Sequence, residues 1–172
     1  MADVDNILIC PACGKNMEVI YIESAQCYID ICTEGCGGIF FDNREFKKFD
    51  EKHESIDEIK KILEGKTFQK VDVSYKRTCP VCGMKMMKNS TSIHGDIIVD
   101  DCYGCGGKFL DFGELEKIRA EYDTEAERSQ DVINLLKSKM GPEFDAMHAH
   151  QQTQQNKPAN KGLFNNIIDK FL

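Results

Sequence analysis

No stretch of this 172-residue chain approaches the roughly 18 consecutive apolar residues that a membrane-spanning helix requires. The first ten residues carry neither a basic start nor a long apolar run, so no export signal is expected and the chain reads as cytoplasmic. GxGxxG, the phosphate-cradling GxxxxGK[ST], HExxH and any Ser/His/Asp set are all missing. Positive charge is scarce as well: 22 Lys and Arg stand against 29 Asp and Glu, a net charge of −7. A nucleic-acid-binding face is built from clustered basic residues. Only Lys60, Lys61, Lys66, Lys70, Lys76 and Arg77, with Lys85 and Lys88, could supply one. Nucleic acid is therefore a disfavoured partner.

Cysteine is what the chain has in excess. Eight of its nine cysteines fall into two copies of one pattern, Cys10-Pro-Ala-Cys13-Gly with Cys32-x3-Cys36-Gly-Gly, and Cys79-Pro-Val-Cys82-Gly with Cys102-x2-Cys105-Gly-Gly. Paired cysteines separated by 18 and 19 residues can converge as four thiolates around one tetrahedral zinc. The predicted ligands are Cys10, Cys13, Cys32 and Cys36 for one ion and Cys79, Cys82, Cys102 and Cys105 for a second, two Zn2+ per chain. Metal binding then takes the net charge to about −11. The extra residue in Cys32-x3-Cys36 is accommodated if Gly35 supplies a flexible turn. A cage of four cysteines leaves no position for a catalytic water, which argues against an enzyme.

The self-similarity runs on past the cysteines. Shifted by 69 residues, Cys36-Gly-Gly-Ile-Phe-Phe-Asp-Asn-Arg-Glu-Phe aligns with Cys105-Gly-Gly-Lys-Phe-Leu-Asp-Phe-Gly-Glu-Leu. This is a duplicated module rather than one large core, and each copy is expected to need its metal to fold. The predicted class is a small metal-bound α+β fold: two zinc ribbons, each a β-hairpin with zinc knuckles followed by helix, and a disordered tail. Residues 1–50 form the first ribbon with the start of a helix, 51–77 a helical and basic linker, and 78–122 the second ribbon. A helix over 123–141, a disordered linker over 142–162 and an amphipathic helix over 163–172 complete the chain.

Local signals fill in this plan. Met17–Ile22 and 27–31 read as one hairpin, and 86–93 with 97–100 as the other. Asp42-Asn-Arg-Glu45, Asp111-Phe-Gly-Glu114 and Ser55-Ile-Asp-Glu58 have capping-box spacing, a stronger reading of the paired acids than general acid/base catalysis. Two short helices follow the first ribbon, broken at 53–55 and stopped by Gly65. Residues 68–75 alternate as a strand would, and 112–140 carry a long helical pattern that Thr124 can restart. Cys27 reads as a small buried hydrophobe, and His148-Ala-His150 as a solvated pair.

Cys-Pro-x-Cys-Gly, a hairpin, and Cys-x2-Cys-Gly-Gly-x-aromatic-Leu-Asp-x-x-Glu-Leu together resemble the zinc-ribbon family named after general transcription factor IIB, found as small bacterial proteins. The second copy is nearer the pattern. The first departs at Cys32-x3-Cys36, Phe41 and Phe46, and both have Phe (Phe40, Phe109) where Trp is frequent. The resemblance implies zinc at the eight cysteines and covers about half the chain. It does not imply transcription initiation.

The functional expectation is a non-enzymatic zinc protein that works as a protein-interaction or adaptor module. Its partner is a protein, bound through Leu163–Leu172 or the ribbon faces; membrane docking is disfavoured because Lys161 and Lys170 are offset by Asp169. The rival readings are a nucleic-acid-binding ribbon, a rubredoxin-like iron redox protein, and a redox sensor built on Cys27.

Overall fold

The computed structural model describes residues 7–91, 97–122 and 124–142. It divides into two compact units, residues 1–123 and 124–172, and the cysteines all lie in the first. The turn at His94, the histidines 148 and 150, the linker over 143–162 and the predicted helix 163–172 fall outside the described residues.

Both hairpins form where alternation places them. β1 (Glu18–Ile22) pairs with β2 (Cys27–Ile31), and β4 (Met87–Ser90) with β5 (Ile98–Asp101), all antiparallel. After each second cysteine pair comes a three-residue strand, β3 (Ile39–Phe41) or β6 (Lys108–Leu110). These two short strands pair with each other, and the result is one six-stranded sheet of order β1-β2-β3-β6-β5-β4. The expectation of two separate modules is corrected here.

The seam is a local two-fold axis. Phe40 faces Phe109, its own counterpart under the 69-residue shift, while Ile39 faces Leu110 and Phe41 faces Lys108. A Cβ on Gly38 would lie 2.3 Å from the Phe109 ring, and one on Gly107 would lie 2.4 Å from the Phe40 ring. Each ring thus seats on the glycine of the other copy. That close approach requires glycine at both positions.

Strand alternation sends the two faces of the sheet to different tasks. Ile29, Ile31, Ile39, Phe41, Val99 and Leu110 point to one face, against α1 (Asp57–Leu63), α2 (Glu114–Glu121) and a 3-10 turn at Phe46–Lys48. This core draws on both copies, so neither ribbon stands alone on its metal. The opposite face carries Phe40, Phe109, Met17 and Met86, packed with seven of the eight cage cysteines.

Several local expectations are corrected. Glu45 and Glu114 do accept the backbone N–H of Asp42 (2.8 Å) and Asp111 (2.7 Å), but neither aspartate caps a helix in return. Glu58 likewise turns away from Ser55 and accepts the N–H groups of Glu23 and Ser24, each at 3.0 Å, pinning the β1–β2 turn. Residues 68–75 form no strand, since their alternation meets no sheet edge; Phe68 packs instead on Phe112, with ring centroids 4.6 Å apart. The helical pattern over 112–140 breaks at Tyr122–Thr124. In the second unit, α3 (Glu125–Met140) begins at Thr124, whose hydroxyl accepts the Glu127 N–H. Among the described residues no helix is long and apolar enough to cross a membrane.

Candidate metal centres

Each cage is made of two knuckles of unlike origin. In the first knuckle the Cys10 N–H donates to the Lys15 carbonyl (2.7 Å) and Gly14 N–H to the Cys10 carbonyl (2.9 Å), which turns Cys10 and Cys13 inward. Cys79 and Gly83 repeat this with Met84 and Cys79 at 2.8 and 3.0 Å. The second knuckle grows from the sheet. Cys32 N–H donates to Gly38 (2.9 Å) and Cys102 N–H to Gly107 (2.8 Å), so the cage hangs on the strands that form the seam.

The eight predicted ligands come together as two groups of four sulfurs, each group lying within 4.8 Å of one another. Cys10 and Cys36 sulfurs are 3.5 Å apart, Cys13 and Cys32 3.4 Å, Cys79 and Cys105 3.5 Å, and Cys82 and Cys102 3.3 Å. Zinc–sulfur bonds of about 2.3 Å in a tetrahedron put sulfurs roughly 3.8 Å apart, so the donor set fits one zinc per group and all its positions are sulfur. Cys27 joins neither group: it is buried in the sheet–helix core, where burial pushes its thiol up. His53 pairs with Glu51 and ligates nothing among the described residues.

Gly35 solves the extra residue of the first cage differently from the expected flexible turn. A Cβ there would come within 2.6 Å of the Cys32 sulfur and 2.7 Å of the Cys13 sulfur. Its φ is not in the left-handed region; what the cage needs is its missing side chain.

Without metal, Cys10, Cys32 and Cys79 are held above the ordinary thiol range. The Cys36 thiol and then burial raise Cys10; burial first raises Cys79, and pushes Cys32 up to about 12. Cys102 is the exception. Burial works against its thiolate, yet N–H groups of Cys105 and Gly104 and the Cys82 thiol bring it down to about 7. Zinc must displace these protons, so binding is coupled to their release.

Sequence reasoning missed the ion cluster behind the second cage. Arg77, 1% exposed, donates to Asp100 (2.8 Å) and in a fork to both oxygens of Asp111 (2.7 and 2.8 Å). Its guanidinium lies 4.7 Å from the Phe109 ring centre, and Lys88 adds bonds of 3.1 Å to both Asp100 oxygens. Three segments that carry ligands or the seam are tied together this way. The available signal was a buried-face aspartate in each second hairpin strand, Asp30 and Asp100, both needing a partner.

The first copy lacks that partner. Leu8 stands at the position of Arg77 and Val19 at that of Lys88, opposite Asp30 as Lys88 is opposite Asp100. Asp30 Oδ1 is buried without a hydrogen bond, and burial, then the nearby Asp42 and Glu45 charges, push its carboxyl up to about 7.

A six-stranded sheet bearing two four-cysteine cages defines a double zinc ribbon. Residues 9–52 and 78–121, about half the chain, match the transcription factor zinc-finger family, and the chain belongs to that family, with two zinc ions per chain. No curated protein and no solved structure matches.

Proposed function

We propose that the chain is a non-catalytic adaptor, a zinc-held scaffold that binds another protein. The observation that carries this reading is a difference between the two cages. Around the second, Val81, Met84, Met87 and Tyr103 are exposed. Their counterparts around the first are Ala12, Lys15, Glu18 and Thr33. Met84 sulfur would lie 2.3 Å from a Cβ on Gly104, so the Met84 side chain covers the second knuckle. Methionine and tyrosine at an exposed, rigid turn are typical anchors of a protein interface.

A closed four-sulfur coordination gives the metal a holding role, because no ligand position is left for water or substrate. The apolar segment Leu163–Leu172 is a second contact element, and binding regulates the partner or brings it to another protein. We further propose a cytoplasmic location, supported by nine unbridged thiols that a reducing compartment preserves.

The test is capture on the zinc-loaded full chain, compared with Met84→Asp/Tyr103→Asp and with Phe164→Asp/Ile168→Asp. The adaptor reading expects proteins that the parent captures and the first variant loses while both zinc ions stay bound. Equal capture by all three chains contradicts it.

A further inference from the structure

The duplication supplies an internal comparison for a site that only one copy fills. In the second ribbon a guanidinium is received by Asp100, Asp111 and the face of Phe109. The first ribbon keeps all three parts as Asp30, Asp42 and Phe40 but not the arginine. Among the described residues no basic side chain pairs with Asp30 or Asp42. Asp30 is 5% exposed, and its Oδ1 has no hydrogen-bond partner. A buried carboxyl oxygen left unbonded is costly in either protonation state, so its presence beside a second acid points to a charged donor supplied from elsewhere.

We propose that the first ribbon binds an arginine side chain of a protein partner, with Asp30 as the buried acceptor. The inference rests on the protein-binding reading and names the partner's chemistry. The entry route is the one Lys88 uses in the second ribbon, over the edge strand, where Val19 is too short to reach Asp30. Tyr21 and Tyr28 stand beside this route: they are a cross-strand pair, 45% and 40% exposed, one step along the same sheet face from Val19 and Asp30. An arginine passing over a tyrosine ring to a carboxylate gains both a cation–π contact and a charge-assisted bond.

A metal ion fits less well. Among the described residues only the cysteine sets bring three or more ligand atoms within 4.8 Å of one another, and Asp30, Asp42 and Glu45 do not converge so closely. A forked guanidinium spans such carboxylates, as Arg77 does. The donor is not in this chain's own undescribed segments, which contain no arginine. Of the four arginines, Arg77 is used in the second ribbon, Arg119 is held by the carbonyls of Phe49, Lys52 and Glu54, Arg128 belongs to the second unit, and Arg44 is exposed and bonds to neither Asp30 nor Asp42.

The experiment is an amide-shift titration of the zinc-loaded full chain with N-acetyl-arginine amide at constant ionic strength. The lysine analogue and magnesium chloride serve as comparison probes. A saturable shift at Val19, Tyr21, Tyr28 and Asp30 is expected, with a dissociation constant on the order of millimolar. The lysine analogue should bind more weakly, and Asp30→Asn should weaken binding at least about fivefold. Leu8→Arg fills the cradle from within and should abolish the response; Val19→Lys blocks the entry route and serves the same end if Leu8→Arg does not fold. Zinc content is checked at two per chain in every variant. The proposal is overturned by no saturable shift up to about 50 mM, by an unchanged response in Asp30→Asn or the filled variants, or by magnesium competing for the same residues. Such a failure leaves capture by the Met84 and Tyr103 surface standing, so the two readings fail separately.

Discussion

Replacing Arg77 by leucine, the residue the first copy has at this position, isolates what the buried ion cluster contributes. Leucine is sterically compatible with the fold, as Leu8 shows, so the loss is electrostatic rather than a packing failure. Three charge-assisted hydrogen bonds disappear, and the two aspartates lose a cation that is 1% exposed. Breaking a buried pair by removing one partner costs about 3–5 kcal/mol. Lys88 stays on Asp100, and the Asp111 side chain is 11% exposed, which moves the expectation to the low end, about 3 kcal/mol. The chain has no tryptophan, so urea unfolding is followed by far-ultraviolet circular dichroism at saturating zinc. Adding Asp111→Asn should recover at least about 1 kcal/mol by removing the orphaned charge. A loss under about 1 kcal/mol for Arg77→Leu with both zinc ions bound would refute the reasoning.

Two further outcomes follow from the seam and from a buried acid. Phe109→Ala should cost about 3–5 kcal/mol by removing the ring over Gly38, and Gly38→Ala about 1–3 kcal/mol by forcing that ring aside. Combined, they should cost less than their sum, and a double-mutant cycle that finds strict additivity contradicts the stacking of ring on glycine. Burial raises the Glu114 carboxyl from 4.5 to about 7 against the opposing Asp111 N–H bond. The folded state therefore holds a proton that the unfolded chain releases, and stability falls as pH rises from about 4.5 to about 7. Glu114→Gln should be more stable than the parent at pH 8 and equal to it at pH 4; a gain that does not vary with pH argues against this titration.

The cages were legible because their signal is local: a cysteine pair, a glycine and a second pair at a spacing that a hairpin closes. Cys27 was likewise readable as core from its place in an alternating strand. The joining of the copies was not, because β3 and β6 have three residues each and their partner lies 69 positions away. Their glycines carried the clue. Gly38 and Gly107 look like parts of a knuckle, but each is the seat for a phenylalanine of the other copy. The capping boxes misled for a related reason. Asp111 had the spacing of a cap, and its carboxylate was taken by Arg77 across the sheet. Tertiary charge pairing outweighed local preference there, and backbone N–H groups of a turn 34 residues away did so at Glu58.

Native mass spectrometry of the purified chain, alongside its Cys27→Ser and Cys32→Ser variants, tests the central claim that two four-cysteine zinc cages hold the joined ribbons. The account predicts two zinc ions in the parent and in Cys27→Ser, and a first cage emptied in Cys32→Ser. A single metal per parent chain, iron in place of zinc, or zinc halved by Cys27→Ser would contradict it.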